Sequence, residues 1–224
     1  MRQPSVILWR CLVMIITIAV TACAGIPSAP RPSVSPDLAW QARKAGLENF
    51  LLWHLNGRIA IKSVQDSWNA SVYWQQQDST FDIHFMTLFG QTIAQLQGHP
   101  GLATLHTSDQ DLTANDVSEL LRKHFGWVIP VEGLRYWVLG IPAPYHIENK
   151  ELDEEGRLVW LEQLGWHIDY VRYRKVGEIE TPRKMLLEYP GLHVRLIIDK
   201  WEPDFDSVSG RYEQVNTQHV LNGR

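Results

Sequence analysis

The chain has 224 residues, 45% of them hydrophobic and 21% charged, with 10 tryptophans and 2 cysteines. That is enough for one or two domains with a sizeable core, and too apolar for a disordered chain. The 25 acidic residues against 21 Lys and Arg give a net charge of −4; there is no basic surplus for nucleic acid, and Cys11 and Cys23 can make neither a disulfide scaffold nor a Cys-rich zinc site.

Residues 1–22 read as a signal peptide. Arg2 and Arg10 supply the positive start, and Cys11 to Val20 is an apolar stretch too short to span a bilayer. Val20-Thr21-Ala22-Cys23 resembles the lipobox of bacterial lipoproteins. That resemblance implies diacylglycerol on the Cys23 sulfur, cleavage before it and N-acylation afterwards. The alternative is an ordinary secretory signal with a chance cysteine. Against it stand Ala-Cys directly after the apolar stretch and the Pro/Ser-rich spacer behind it. Cleavage leaves 19 basic and 25 acidic residues, a charge of −6. Residues 23–36 form the anchor and an extended tether, because Pro27, Pro30, Pro32 and Pro36 forbid helix or strand interior. At ~3.1 Å per residue such a tether reaches on the order of 40 Å. Ala24 follows the cysteine. By resemblance to enterobacterial sorting, the absence of Asp there implies the outer membrane.

The body is expected over residues 37–201. A first helix is predicted from Asp37 as N-cap to about Leu52, with Trp40, Leu47, Phe50 and Leu51 on one face. Alternating strands follow around Leu55–Ile61, Trp68–Trp74 and Phe81–Phe85, with weaker ones at 93–97 and 102–107. Two short helices come next. One is capped at Thr113, with Leu112 and Val117 as its hydrophobic staple, and stops at Gly126; the other runs from Pro130 to Gly140. Strands resume at 158–163, 166–173, 185–189 and 192–201, and residues 202–224 read as a polar C-terminal tail.

Strands, two helices, then strands predict a mainly β fold with α: an antiparallel sheet that must bury one face and can curl round the helices as a partly closed barrel. Trp68, Trp74, Phe81, Phe85, Trp160, Trp166, Leu187, Leu196 and Ile198 are the candidate inward residues. Either they line an apolar cavity able to hold a ligand, or they pack solid.

Catalysis has no motif to rest on. No HExxH, GxSxG, P-loop or GxGxxG occurs. Asp109-Gln110-Asp111 opens like a calcium loop, but Ala114 and Leu120 occupy the positions that need Gly and Glu, so it reads as a turn into the Thr113 cap. Asp153-Glu154-Glu155 before Gly156 reads as a solvated turn.

Five stretches, in this order, resemble the outer-membrane lipoprotein receptor LolB family: residues 53–60 (WHLNGRIA), 68–76, 126–131 (GWVIPV), 134–142 (LRYWVLGIP) and 163–170 (QLGWHIDY). The resemblance implies an unclosed antiparallel β-barrel whose helices cover an apolar cavity. It also implies a monomeric, periplasm-facing receptor that takes acylated lipoproteins from the soluble carrier LolA. The receptor then inserts them among the phospholipid of the outer membrane's inner leaflet, with no cofactor and no metal. Two other functions compete: a structural outer-membrane accessory lipoprotein that binds polypeptide or envelope polymer, and a lipid-processing enzyme.

One element carries its own argument. In Met86-Thr87-Leu88-Phe89-Gly90-Gln91, Gly90 suits a turn, yet Leu88 and Phe89 are large and apolar where turns are usually polar. Such a tip is a candidate membrane or partner contact, or else it folds back on the barrel rim. The family resemblance implies a protruding hydrophobic residue at Phe89, with Leu88 standing where Pro is usual.

Overall fold

The structure is a computed structural model that describes residues 35–203. The signal peptide, Cys23, nearly all of the tether and the tail beyond residue 203 lie outside the described residues. Helix α1 spans Pro36–Glu48, α2 Val117–Phe125 and α3 Val131–Trp137. The strands are β1 (Leu52–Ser63), β2 (Ser67–Gln77), β3 (Thr80–Met86), β4 (Thr92–His99), β5 (Leu102–Thr107), β6 (Asp111–Ala114), β7 (Asn149–Leu152), β8 (Leu158–Gln163), β9 (Trp166–Val176), β10 (Ile179–Tyr189) and β11 (Leu192–Pro203).

They form one 11-stranded antiparallel sheet in the order β6-β5-β4-β3-β2-β1-β11-β10-β9-β8-β7. Chain neighbours pair as hairpins, and the single long-range seam is β1 against β11. Edges remain free at β6 and β7, so the barrel is unclosed. Alternation sets the faces: on β2, for example, Ala70, Val72, Trp74 and Gln76 are buried and their neighbours are not.

Local chemistry moves two predicted helix starts. Ser35, not Asp37, caps α1: its Oγ accepts the Leu38 N–H at 3.4 Å, and Pro36 takes the first turn. The helix ends at Glu48, short of Leu52, because residues 52 onward pair with β2 and β11. Asp116, not Thr113, caps α2, accepting the Ser118 and Glu119 N–H groups at 2.6 and 3.1 Å. Thr113 pairs with Thr104 in β6. Gly126, left-handed at φ 69°, closes the helix onto the Arg122 carbonyl as predicted. Strand β7 went unpredicted; its four polar-rich residues carry no distinctive alternation.

The acidic turn before Gly156 is not simply solvated. Arg157 binds Asp153 at 2.7 Å, Glu155 at 3.1 Å and Glu180 at 2.9 Å. Arg43 of α1 donates to the Glu180 carbonyl, and both guanidinium groups lie over the Tyr173 ring at 5.4 and 5.2 Å. A Cβ on Gly156 would stand 2.6 Å from the Trp40 nitrogen, so the turn is a seat for α1.

Candidate functional site

An apolar cavity of about 470 Å³ lies between the inner face of β1–β5, β10 and β11 and the segment carrying α2 and α3. The sheet contributes Ile59, Ile61, Val72, Trp74, Ile83, Leu96, Leu105, Leu187 and Leu196. The helical side contributes Leu121, Phe125, Trp127, Ile129, Val131 and Leu134. Trp68 packs against Phe85 at 5.2 Å and Trp127 at 6.0 Å. Asp66, Ser67, Thr107 and Ser108 add polar groups at the same end. At the other end Trp53 backs Trp74 at 5.2 Å and meets Trp201 at 5.1 Å. The Trp74 indole N–H donates to Gln76 at 2.9 Å, so its ring can face apolar space with its polar atom satisfied.

One buried amide ties the lid to β8, and Arg135 of α3 ties it to the β2–β3 turn by donating to the Asp78 carbonyl at 2.6 Å. Gln163 Oε1 accepts the Trp137 indole N–H at 2.8 Å and the Ala143 N–H at 2.9 Å. Its Nε2 donates to the Ala143 and Tyr145 carbonyls at 3.0 and 3.1 Å. Thus α3 and the chain after it are fixed to β8 without any charge in the core.

Five of the predicted inward residues line this cavity: Trp68, Trp74, Phe85, Leu187 and Leu196. The other four are placed elsewhere. Phe81 is buried but its ring tip fills the space at Gly98, where a Cβ would approach it to 2.5 Å. Trp166 packs against Trp137 at 6.3 Å and Tyr189 at 5.3 Å, in solid core. Ile198 faces Gly57, across an irregularity in the β1–β11 pairing. Trp160 points outward, stacked on His167 at 5.6 Å with its indole N–H on Glu151. The medium aliphatics Ile59, Ile61, Ile83, Leu96 and Leu105 also line it and are not among the bulky candidates. Their signal was present in the same alternation: a side chain that stops short leaves space, whereas a large ring fills it.

Leu88 and Phe89 are 89% and 94% exposed, so neither folds back on the rim. Gly90 has φ 81°, which a side chain would strain. Thr87 holds the turn: its N–H donates to the Gln91 carbonyl at 2.8 Å, its carbonyl accepts from Gly90 at 3.0 Å, and its hydroxyl accepts from Phe89 and Gln91 at 3.3 and 3.2 Å. These bonds do here what a proline at position 88 would do by restricting φ.

No group of three or more His, Cys, Asp or Glu side chains converges as metal ligands among the described residues. Among them too, no helix is long and apolar enough to cross a membrane.

A family model described as outer membrane lipoprotein LolB matches residues 52–201, the whole span that builds the sheet and its lid. The chain belongs to the LolB family. A relative from Nitrosococcus oceani, named outer-membrane lipoprotein LolB, is 37% identical over 196 residues, covering 86% of this chain and 98% of that one. One of the same name from Pseudomonas syringae pv. syringae is 33% identical over 186 residues, covering 82% and 91%. LolB membership makes the chain an outer-membrane lipoprotein. A solved Vibrio parahaemolyticus domain, whose name ties it to outer membrane lipoprotein sorting, shares the fold with a TM-score of 0.50 at 11% identity, covering 76% of this chain and 92% of that one.

Proposed function

We propose that this protein is anchored through acylated Cys23, that its cavity receives the acyl chains of lipoproteins handed over by a LolA-type carrier, and that it releases them into the inner leaflet of the outer membrane. It works by binding and release, not by catalysis. The observation that carries this reading is the cavity itself: about 470 Å³, bounded by aliphatic and aromatic side chains, with the few polar groups gathered at one end. Such a space suits hydrocarbon chains, whose transfer out of water is favourable by about 0.8 kcal/mol per CH₂ and needs no directional partner. The exposed Leu88–Phe89 turn supports the delivery half. An apolar side chain enters the membrane interface at little cost, where a carboxylate would resist. The tether before Ser35 is long enough on extended geometry for the body to reach its own leaflet.

Transfer of a radiolabelled lipoprotein from carrier to this protein, and from it to liposomes, tests both halves. Phe89→Glu is expected to leave melting temperature and uptake near wild type and to slow insertion, while Phe89→Leu stays close to neutral. Insertion at the wild-type rate by folded Phe89→Glu protein would remove the delivery role from this turn. Failure of the wild type to take up acylated cargo would favour the structural accessory reading.

A further inference from the structure

The face of the sheet opposite the cavity carries a second concavity. It is a trough of about 300 Å³ whose walls include Arg58, Met86, Leu88, Arg195 and Ile197. Its floor is low because Ala60 and Ser71 are small and stand between larger outward neighbours. One wall is the root of the Leu88–Phe89 turn.

The pairing of the strands places cations around it. Arg172, Lys184, Ile197, Arg58, Ser71 and Met86 are successive cross-strand partners from β9 to β3, and they form one outward row that ends at the turn. Arg195 stands one row away, opposite Ala60. Arg58 is held by Asp199 through two hydrogen bonds at 2.8 and 2.9 Å. Arg172, Lys184 and Arg195 have no ion pair among the described residues. Four cations therefore share this region with three carboxylates: Asp199, Asp169 on the cross-strand row of Arg195, and Glu188 on the strand beside it.

We infer that this trough docks the phosphodiester headgroup of a membrane phospholipid, with Arg195 on the phosphate, Lys184 adding charge beside Ile197, and the acyl chains leaving past Met86 and Leu88. The inference rests on the reading that the Phe89 turn meets the leaflet, and it names what the turn's surroundings recognise there. Charge and apolarity meet along one edge, as they do at a lipid's glycerol level. Arg195 and Lys184 have no ion pair among the described residues to give up on binding; a guanidinium suits phosphate oxygens by its fork of donors. A free phosphate would leave the Met86–Leu88 wall unused. Docking here would turn the sheet's outer face to the leaflet and fix the angle at which the turn enters it.

The test uses the acylated protein reconstituted in phosphatidylcholine vesicles with or without phosphatidylglycerol that carries a photoreactive headgroup. Adduct positions are mapped by mass spectrometry. In parallel, a fluorophore on Gln91→Cys is quenched by brominated acyl chains and reads immersion of the turn separately. Headgroup adducts are expected on the segments 58–60, 69–71 and 195–197. Their yield should fall roughly fivefold for each cation removed in Arg195→Ser and Lys184→Ser, and it should fall with added salt. The melting temperature should not move, since both side chains lie on the outer face without ion-pair partners. Adducts in the trough beside an unquenched fluorophore would uphold the headgroup site and overturn the insertion role of the turn. A quenched fluorophore with adducts elsewhere, or with trough adducts indifferent to Arg195→Ser, would overturn the headgroup site and leave the turn's role standing.

Discussion

On β1–β5 the inward side chains stop short of the helices opposite them and leave about 470 Å³ of apolar space. On β8, β9 and β10 as far as Met185 the same inward alternation meets its partners directly, with Leu187 at the cavity's border. Leu158, Leu161, Ile168 and Met185 are fully buried, Trp166 packs on Trp137, and Tyr173 lies under Arg43 of α1. One half of the sheet is built to hold something else, and the other is built to hold itself. The difference lies in what faces the strands. A short two-helix lid hung from Gln163 stands off the first half, whereas a capped helix seated on an ion-paired turn presses on the second. Stability and binding are therefore carried by different residues of one sheet.

The sharpest break in that division is expected from Trp166→Ala. Removing a fully packed indole costs about 3–5 kcal/mol, read as a fall in the urea midpoint at unchanged slope. The affinity of the folded variant for an environment-sensitive fatty acid should remain at the wild-type value, because Trp166 does not border the cavity. A loss of affinity in folded protein would show the two halves to be coupled.

A matched pair of enlargements tests the same contrast at intermediate size. Leu161→Phe overpacks the solid half and should cost about 1–3 kcal/mol. Leu105→Phe points into existing space, so stability should hold or rise while fatty-acid affinity falls. Equal stability losses for the two would deny that the cavity is real room.

The smallest effect concerns pH. Burial raises the Tyr173 phenol well above the ordinary tyrosine range, with its hydroxyl donating to the Leu158 carbonyl at 2.8 Å. A group whose folded pKa is raised stabilises below its unfolded pKa and loses that contribution as pH climbs toward the folded value. Stability should therefore begin to fall above about pH 10, the unfolded tyrosine value. Tyr173→Phe should cost about 1 kcal/mol at neutral pH and make that alkaline decline shallower without abolishing it, because buried Tyr170 is raised in the same direction, as followed by thermal melts across the alkaline range.

Strand alternation makes most of the sheet legible in the sequence, because a half-buried strand must repeat with period two. Helix starts were less so. Thr113 has the spacing of a capping residue, but pairing with Thr104 in β6 claims it, and Asp116 takes the cap instead. That choice is tertiary and leaves no local mark. The candidate site was half legible. Trp68, Trp74 and Phe85 line the space, yet Phe81 and Trp166, equally bulky and equally inward, do not. Whether a ring borders a void or fills one depends on its neighbour across the core, such as Gly98 beneath Phe81, and no periodicity encodes that neighbour. The turn's apolarity was legible in two large residues before a glycine, but their exposure was not, because a fold back onto the rim has the same sequence.

The free edges at β6 and β7 have a mechanical consequence. Each is four residues long, too short to offer a stranger's strand much purchase. In a closed barrel, strand number and shear fix the girth. Here no ladder joins β6 to β7, so the girth is set by side chains packed against a lid fastened at Gln163 and Arg135. The wall can thus spread or tighten without breaking a single strand-to-strand hydrogen bond. Its compliance, more than its resting volume, would decide the longest hydrocarbon it can grip.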